Sequence, residues 1–242
     1  MPDLPDPSSE PSKFLLSLSD ESRSIAVDRI DGSDVPVLVC FGGLRHGLVG
    51  PPFEFMRHTE TLGVHRVFVR DLEQCWYQKG LRQSGGDVPS AARAIKHEVD
   101  ALGPGRRVYV GTSSGAFAAI MFGVVTGADE MLAFGPQASL NRFRRRLSHH
   151  NRWPDEIKKA RANCSDRRHI DLVRLLKSSV GYGKVSVHFG TSDIRDAAYA
   201  KRLAPLENVF VTPHAGGHEF VRELRDEGEL TPILAAALHL GP

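Results

Sequence analysis

The stretch "VGTSSGAF", Val110 to Phe117, sets Ser113 between Gly111 and Gly115, with an aliphatic run before it and a run of small residues after it. A serine hydroxyl can act as a nucleophile when it projects from a tight strand-to-helix turn, where side chains two positions to either side would collide with the chain. Glycine at 111 and 115 removes those collisions, and Ala116, Ala118 and Ala119 let the following helix lie close to a sheet. An ordinary glycine-flanked loop has the same composition, so the companions of Ser113 decide between the two readings. The hydroxyl must lose its proton to a group titrating near neutrality, which points to histidine. Of the eleven histidines, His214 and His218 in "VTPHAGGHEF" directly follow a β-like run. His218, after two glycines and before a helical segment, is the expected base, and His214 the alternate. An acid orienting the imidazole belongs after the preceding β-like run, where Asp193 stands in "HFGTSDIRDAA". Asp196 is the second candidate, and either aspartate can instead cap the helix that follows.

Acyl chemistry at Ser113 also needs donors for a developing oxyanion. The backbone N–H of Ser114 is one, and the glycine turn in "CFGGLRHG" offers a second at Gly43 or Leu44, since glycine lets the backbone turn inward with no Cβ in the way. "PPFEFMRH" and "EQCWYQKG" follow two other β-like runs, so Phe53, Phe55, Met56, Trp76 and Tyr77 can line an apolar pocket beside Ser113 or pack in the core. Glu54 and Asp71 have no role assignable from sequence. Ten cations between Arg142 and Arg168 face only Asp155, Glu156 and Asp166. Such a run is either a solvated face or a positive rim that attracts an anionic or carrier-linked acyl substrate. Base-stacking aromatics are not interleaved with these cations, which argues against nucleic acid. A dinucleotide fingerprint at "GTSSG" lacks its third glycine and a ribose-binding acid. No metal constellation stands out, and serine chemistry needs neither metal nor cofactor.

These residues can meet only if the chain folds as alternating strands and helices. "VPVLVCF" is a continuous β-branched and aliphatic run, as expected of a strand covered on both faces. "HRVFVRD", "RRVYVG", "EMLAFG", "KVSVHFG" and "NVFVTP" read as further strands, and "FLLSLSD" with "SIAVDRI" as a hairpin. "VPSAARAIKHEVDAL" has Ala91, Ala94, Ile95, Val99 and Leu102 at helical spacing, and "SGAFAAIMFGVV" reads as a helix apolar on nearly all sides. Two terminal helices are expected around 220–224 and 232–240, with Thr231 capping the last and Pro232 in its first turn. The alternation predicts a mostly parallel sheet with helices on both faces and function in the loops at the carboxyl ends of the strands. About 45 residues between "EMLAFG" and "KVSVHFG" exceed a simple connection, so 137–182 is expected to be a helical cap insertion in a single domain spanning 14–242.

Composition bounds the rest. A chain of 242 residues with 41% hydrophobic and 25% charged residues is that of an ordinary globular domain, and a formal charge of +2 selects no partner. Cys40, Cys75 and Cys164 are too few for a disulfide framework, which favours a reducing, cytoplasmic setting. The uncharged stretch from Val108 to Ala128 is interrupted by "GTSSG" and fits a buried strand and helix rather than a membrane span. Residues 1–13, rich in proline, serine and acid, are expected to be a loose tail without signal-peptide character.

Taken together, "FGGL", "GTSSG", "GTSD" and "GGHEF" give a chain that resembles the α/β-hydrolase superfamily from about Phe14 to the C-terminus. The resemblance implies an eight-stranded, mostly parallel sheet under a cap, with Ser–His–Asp catalysis on an ester or thioester through an acyl-enzyme. Two departures bear on the subfamily: Phe41 stands where many relatives have histidine before the oxyanion glycines, and "RDLEQCWYQKG" replaces the usual aspartate-arginine-glycine type turn. Water as acceptor would make the chain a hydrolase, and a bound alcohol or amine an acyltransferase or cyclase. A non-catalytic protein of the same fold that binds a small ligand or partner is the alternative from another class.

Overall fold

Val37–Phe41 is buried at every position, and its period-two alternation sends Val37, Val39 and Phe41 to one face and Leu38 and Cys40 to the other. This is strand β2 of a computed structural model that describes residues 14, 20, 22–44, 55–82, 84–147 and 152–241. Around it lie β1 (Ile25–Asp28), β3 (His65–Val69), β4 (Arg107–Thr112), β5 (Glu130–Phe134), β6 (Lys184–Gly190) and β7 (Val209–His214). The order across the sheet is β1-β3-β2-β4-β5-β6-β7. Every neighbouring pair is parallel except β1 with β3.

The sheet therefore shows seven strands among the described residues, one fewer than the expected eight. Of the expected hairpin, "SIAVDRI" forms β1, which pairs with β3. Most of "FLLSLSD" lies outside the described residues, and Phe14 at its start is helical, its ring against Phe68. The tail expected at 1–13 also lies outside them.

Helices cover both faces. On one face α1 (Val88–Asp100) and α2 (Ser114–Thr126) pack on Val39, Phe41, Val67 and Tyr109. Helix α1 starts where Asp87 accepts from the Ser90 N–H at 2.8 Å, with Pro89 in the first turn, and it buries Ala91, Ala92, Ile95 and Val99 on one stripe. Each large apolar side chain so buried contributes about 1.5–3 kcal/mol. Helix α2 is buried nearly all round and ends at Gly127, whose φ of 79° lets the chain leave the helix. On the other face α7 (Phe220–Asp226) and α8 (Leu230–Leu238) set Phe220, Leu224 and Leu234 on Leu38, Val110 and Leu132. Helix α8 begins two residues earlier than expected, so Thr231 lies inside its first turn rather than capping it.

The segment between β5 and β6 forms α3 (Arg142–Leu147), α4 (Pro154–Ala162), a 3-10 turn (Arg167–Ile170) and α5 (Leu172–Ser178). Its Ile157, Ala160, Leu172 and Leu176 join the same core as α2. Helix α6 (Ile194–Leu203) connects β6 to β7. Among the described residues no helix is long and apolar enough to cross a membrane.

Where β5, β6 and β7 end, aromatic rings stack in a column: Phe134 on His188 at 4.8 Å, His188 on His214 at 5.1 Å and His214 on Phe220 at 5.2 Å. His188 Nδ1 lies 2.8 Å from His214 Nε2, so one ring donates and the other accepts. Burial and the neighbouring His214 hold the His188 imidazole down to about 4. A histidine whose folded value lies below its unfolded value of about 6.5 adds stability above that value and loses it as pH falls toward 4. Melting temperature is therefore expected to fall between pH 6.5 and 4, and the fall should be smaller in His188→Asn. It should not vanish, because burial also depresses His65 and His169. Thermal melts at several pH values check this, and an unchanged pH dependence in the variant would contradict it.

Candidate active site

The turn between β4 and α2 is forced by backbone contact. A Cβ on Gly111 would lie 2.3 Å from the Gly115 carbonyl, and one on Gly115 would lie 2.3 Å from the Phe41 oxygen. Helix α2 can therefore lie against β4 and β2 only with glycine at both positions. The turn holds Ser113 at φ 51° and ψ −113°, an unfavourable conformation for a residue with a side chain. The Ser113 N–H donates to the Phe134 carbonyl at 2.9 Å, pinning the turn to β5.

His218 Nε2 lies 3.2 Å from Ser113 Oγ, and His218 Nδ1 lies 2.8 and 3.0 Å from the two oxygens of Asp196. The acid on the imidazole is thus Asp196, which corrects the expectation of Asp193. Asp193 caps α6, accepting from the Arg195 and Asp196 N–H groups at 2.9 and 3.4 Å. It also takes the Arg195 guanidinium at 2.9 and 2.6 Å and Arg152 at 3.4 Å. Burial alone would raise the Asp193 carboxyl, but Arg195 overrides it and holds the group well below the usual carboxylate range. A capping aspartate sits just outside the helix, so its oxygens turn to the first N–H groups, while the residue three further on projects from the helix toward His218. His214, the alternate base, is engaged with His188.

Gly135, just past β5, was not singled out by sequence. Its φ is 59°, and a Cβ there would come within 3.1 Å of Asp196 Oδ2 and 3.4 Å of the His218 ring, so the pair packs directly on its backbone.

The glycine loop after β2 is braced by residues expected to line a pocket. Tyr77 is fully buried, and its hydroxyl lies 2.9 Å from the Gly42 carbonyl and 3.0 Å from that of Val69, donating its one hydrogen between them. Trp76 is equally buried in the core. Both expectations of pocket contact are corrected: Gln74, Trp76 and Tyr77 all have positive φ, in a turn that drives these rings inward. That turn is held by Asp71, whose carboxylate accepts from the Cys75 and Tyr77 N–H groups at 2.7 and 2.9 Å. The Leu44 N–H donates to Ser114 Oγ at 2.9 Å, so in this conformation it is engaged with the side chain next to the elbow. Gly43 and Leu44 both line the cavity, and the Ser114 N–H belongs to the first turn of α2.

That cavity, about 490 Å³, opens over Ser113 and His218. Phe55, Trp153, Val221 and Leu230 lie along it, and Phe53 lies outside the described residues. Asp193, Asp196 and His218 also form the one group of three metal-ligating side chains found among the described residues, with ligand atoms within 4.8 Å of one another. Two guanidinium groups already contact its Asp193 corner.

No protein-family model matches the chain, and no curated protein sequence matches it. Solved structures match its shape. An S-formylglutathione hydrolase from Agrobacterium tumefaciens is 14% identical with a TM-score of 0.61, covering 93% of each chain. The capsule O-acetyltransferase of Neisseria meningitidis serogroup A is 11% identical with a TM-score of 0.62, covering 85% of this chain and 89% of that one. The fluorophosphonate-binding serine hydrolase F of Staphylococcus aureus is 13% identical with a TM-score of 0.62, covering 89% and 92%. The chain has the α/β-hydrolase fold.

Gly135→Ala tests how tightly the His218–Asp196 pair sits on the backbone. At Gly127, also at positive φ but with no atom within 4 Å of an added Cβ, alanine meets only the conformational cost of about 1 kcal/mol. Gly135→Ala is expected to cost about 1–2 kcal/mol more than Gly127→Ala in denaturant unfolding. Equal losses would show that the pair can move aside.

Proposed function

We propose that this protein is a serine hydrolase that cleaves an ester or thioester through an acyl-enzyme on Ser113. The observation that supports this reading best is the unbroken line from Ser113 Oγ through His218 to Asp196. Asp196 accepts from His218 Nδ1–H, which leaves the lone pair of Nε2 facing the serine. As Oγ attacks the substrate carbonyl, its proton passes to Nε2 and the carbonyl oxygen becomes an oxyanion. The Ser114 N–H at the start of α2 receives that charge, together with an N–H of the Gly43–Leu44 turn. His218 then returns the proton to the departing alcohol or thiol as the carbonyl re-forms. Water deprotonated by the same imidazole attacks the acyl-enzyme, releases the acid and restores Ser113.

The fold is shared with named hydrolases and with an O-acetyltransferase, so the acceptor is settled by assay and not by architecture. Activity on p-nitrophenyl esters and labelling by a fluorophosphonate are both expected, and both should disappear in Ser113→Ala. Asp196→Asn is expected to lower kcat by about 10³–10⁴-fold, because the amide favours the wrong imidazole tautomer. Asp193→Asn keeps a capping side chain and should lower kcat by less than about tenfold. A folded wild type that neither turns over esters nor takes the label would leave a binding protein of the same fold. Equal losses in the two aspartate variants would overturn the assignment of Asp196.

A further inference from the structure

The cavity over Ser113 is not electrically neutral. Among the described residues Arg152, Arg222 and Arg225 line it against a single acid, Glu219, and His58 lines it as well. Burial and the Arg225 charge both disfavour a proton on His58, so the positive charge there is that of the guanidinium groups. Arg222 and Arg225 stand three residues apart on α7 and so share a helix face. Their partners are loosely held. Arg222 pairs with Glu219 and Arg225 with Asp226, each at 2.8 Å but with both acids about two-thirds exposed. Exposed pairs of this kind contribute little and exchange readily for another anion. Arg152 has still less to hold it, because Asp193 already takes Arg195 through two nitrogens and meets Arg152 only at 3.4 Å.

The rest of the 142–168 basic run behaves differently. Lys159 is tied to Glu73 and Arg168 to Asp166, away from the cavity lining, and among the described side chains Arg152 is the cation of that segment that reaches it. Arg222 and Arg225, which no reading of the basic run includes, supply the other positive charges.

We propose that the part of the substrate filling this cavity carries an anionic group, a carboxylate or a phosphate, held by Arg152, Arg222 and Arg225. This rests on Ser113 as the nucleophile, since that places the scissile bond at the floor of the same cavity. The planar guanidinium fork matches either oxyanion group, and the apolar walls accommodate the carbon chain that links it to the reacting carbonyl.

Two esters with the same four-carbon acyl chain test it: p-nitrophenyl butyrate, which is neutral, and p-nitrophenyl hemisuccinate, which ends in a carboxylate. Wild type is expected to favour the hemisuccinate in kcat/KM by about tenfold at about 20 mM salt, and the ratio should shrink severalfold by about 500 mM. Arg152→Gln and the double variant Arg222→Gln/Arg225→Gln should each lower the ratio, while the salt comparison needs no variant. Ser113-dependent turnover of both esters with a ratio near one at all salt concentrations would overturn the anion site and leave the hydrolase reading intact. If neither ester is turned over and no fluorophosphonate label is taken, that reading fails and the anion site is judged by binding alone. On Ser113→Ala, monomethyl succinate and propyl phosphate are compared with methyl butyrate by calorimetry. At least about fivefold tighter, salt-sensitive binding of one anion supports the site and identifies its preferred group. Equal affinity of all three overturns it.

Discussion

The site depends on one steric constraint, the contact of the Gly115 backbone with the carbonyl of Phe41. It brings the start of α2 against the end of β2, and the loop that follows Phe41 is thereby set beside Ser114, whose Oγ accepts from the Leu44 N–H at 2.9 Å. The same closeness drives Ser113 into its strained backbone conformation and projects its side chain out of the turn. Strain of this kind persists only where the surroundings over-determine it. Here they do so through Gly111 against Gly115, the Ser113 N–H on Phe134, and the full burial of α2. The stability of the central sheet is thus spent on holding one hydroxyl in place.

A second constraint is electrostatic. Two carboxylates, Asp193 and Asp196, approach the His218 ring. The fold divides their tasks. Arg195 neutralises Asp193 through two hydrogen bonds while Asp193 holds the first turn of α6, and that turn carries Asp196 to the imidazole. A capping motif and a charge pair therefore position the acid without adding a free negative charge beside it.

Much of this was legible in the sequence because each reactive residue follows a β-like run. Continuous aliphatic stretches such as "VPVLVCF" mark strands buried on both faces, and in a parallel sheet the loops after them converge at one edge. Ser113, His218 and the glycine loop could be placed on that logic. Asp193 and Asp196 could not be separated, since both stand at the start of the same helix and only the direction of each side chain distinguishes cap from partner. The aromatics of "EQCWYQKG" defeated the reading for a related reason. Composition marks Trp76 and Tyr77 as apolar, but the positive φ values that turn them inward depend on Asp71, whose two hydrogen bonds form only once the loop has closed. Gly135 gave no signal beyond its place after β5, because the need for glycine comes from His218 and Asp196, more than sixty residues further on.

The basic residues show the same limit from the other side. A count of charges along the chain favours the 142–168 segment as the positive feature, yet two of its cations are engaged away from the cavity, Lys159 by Glu73 and Arg168 by Asp166. What surrounds the cavity is set instead by helix geometry. Helix α7 begins two residues after His218, so the residue that must reach Ser113 also fixes where Arg222 and Arg225 fall. Placing His218 and placing these two cations are one structural event. A helix that starts beside His218 presents its next turns to the space above Ser113, and here those turns bring Arg222 and Arg225 to the cavity.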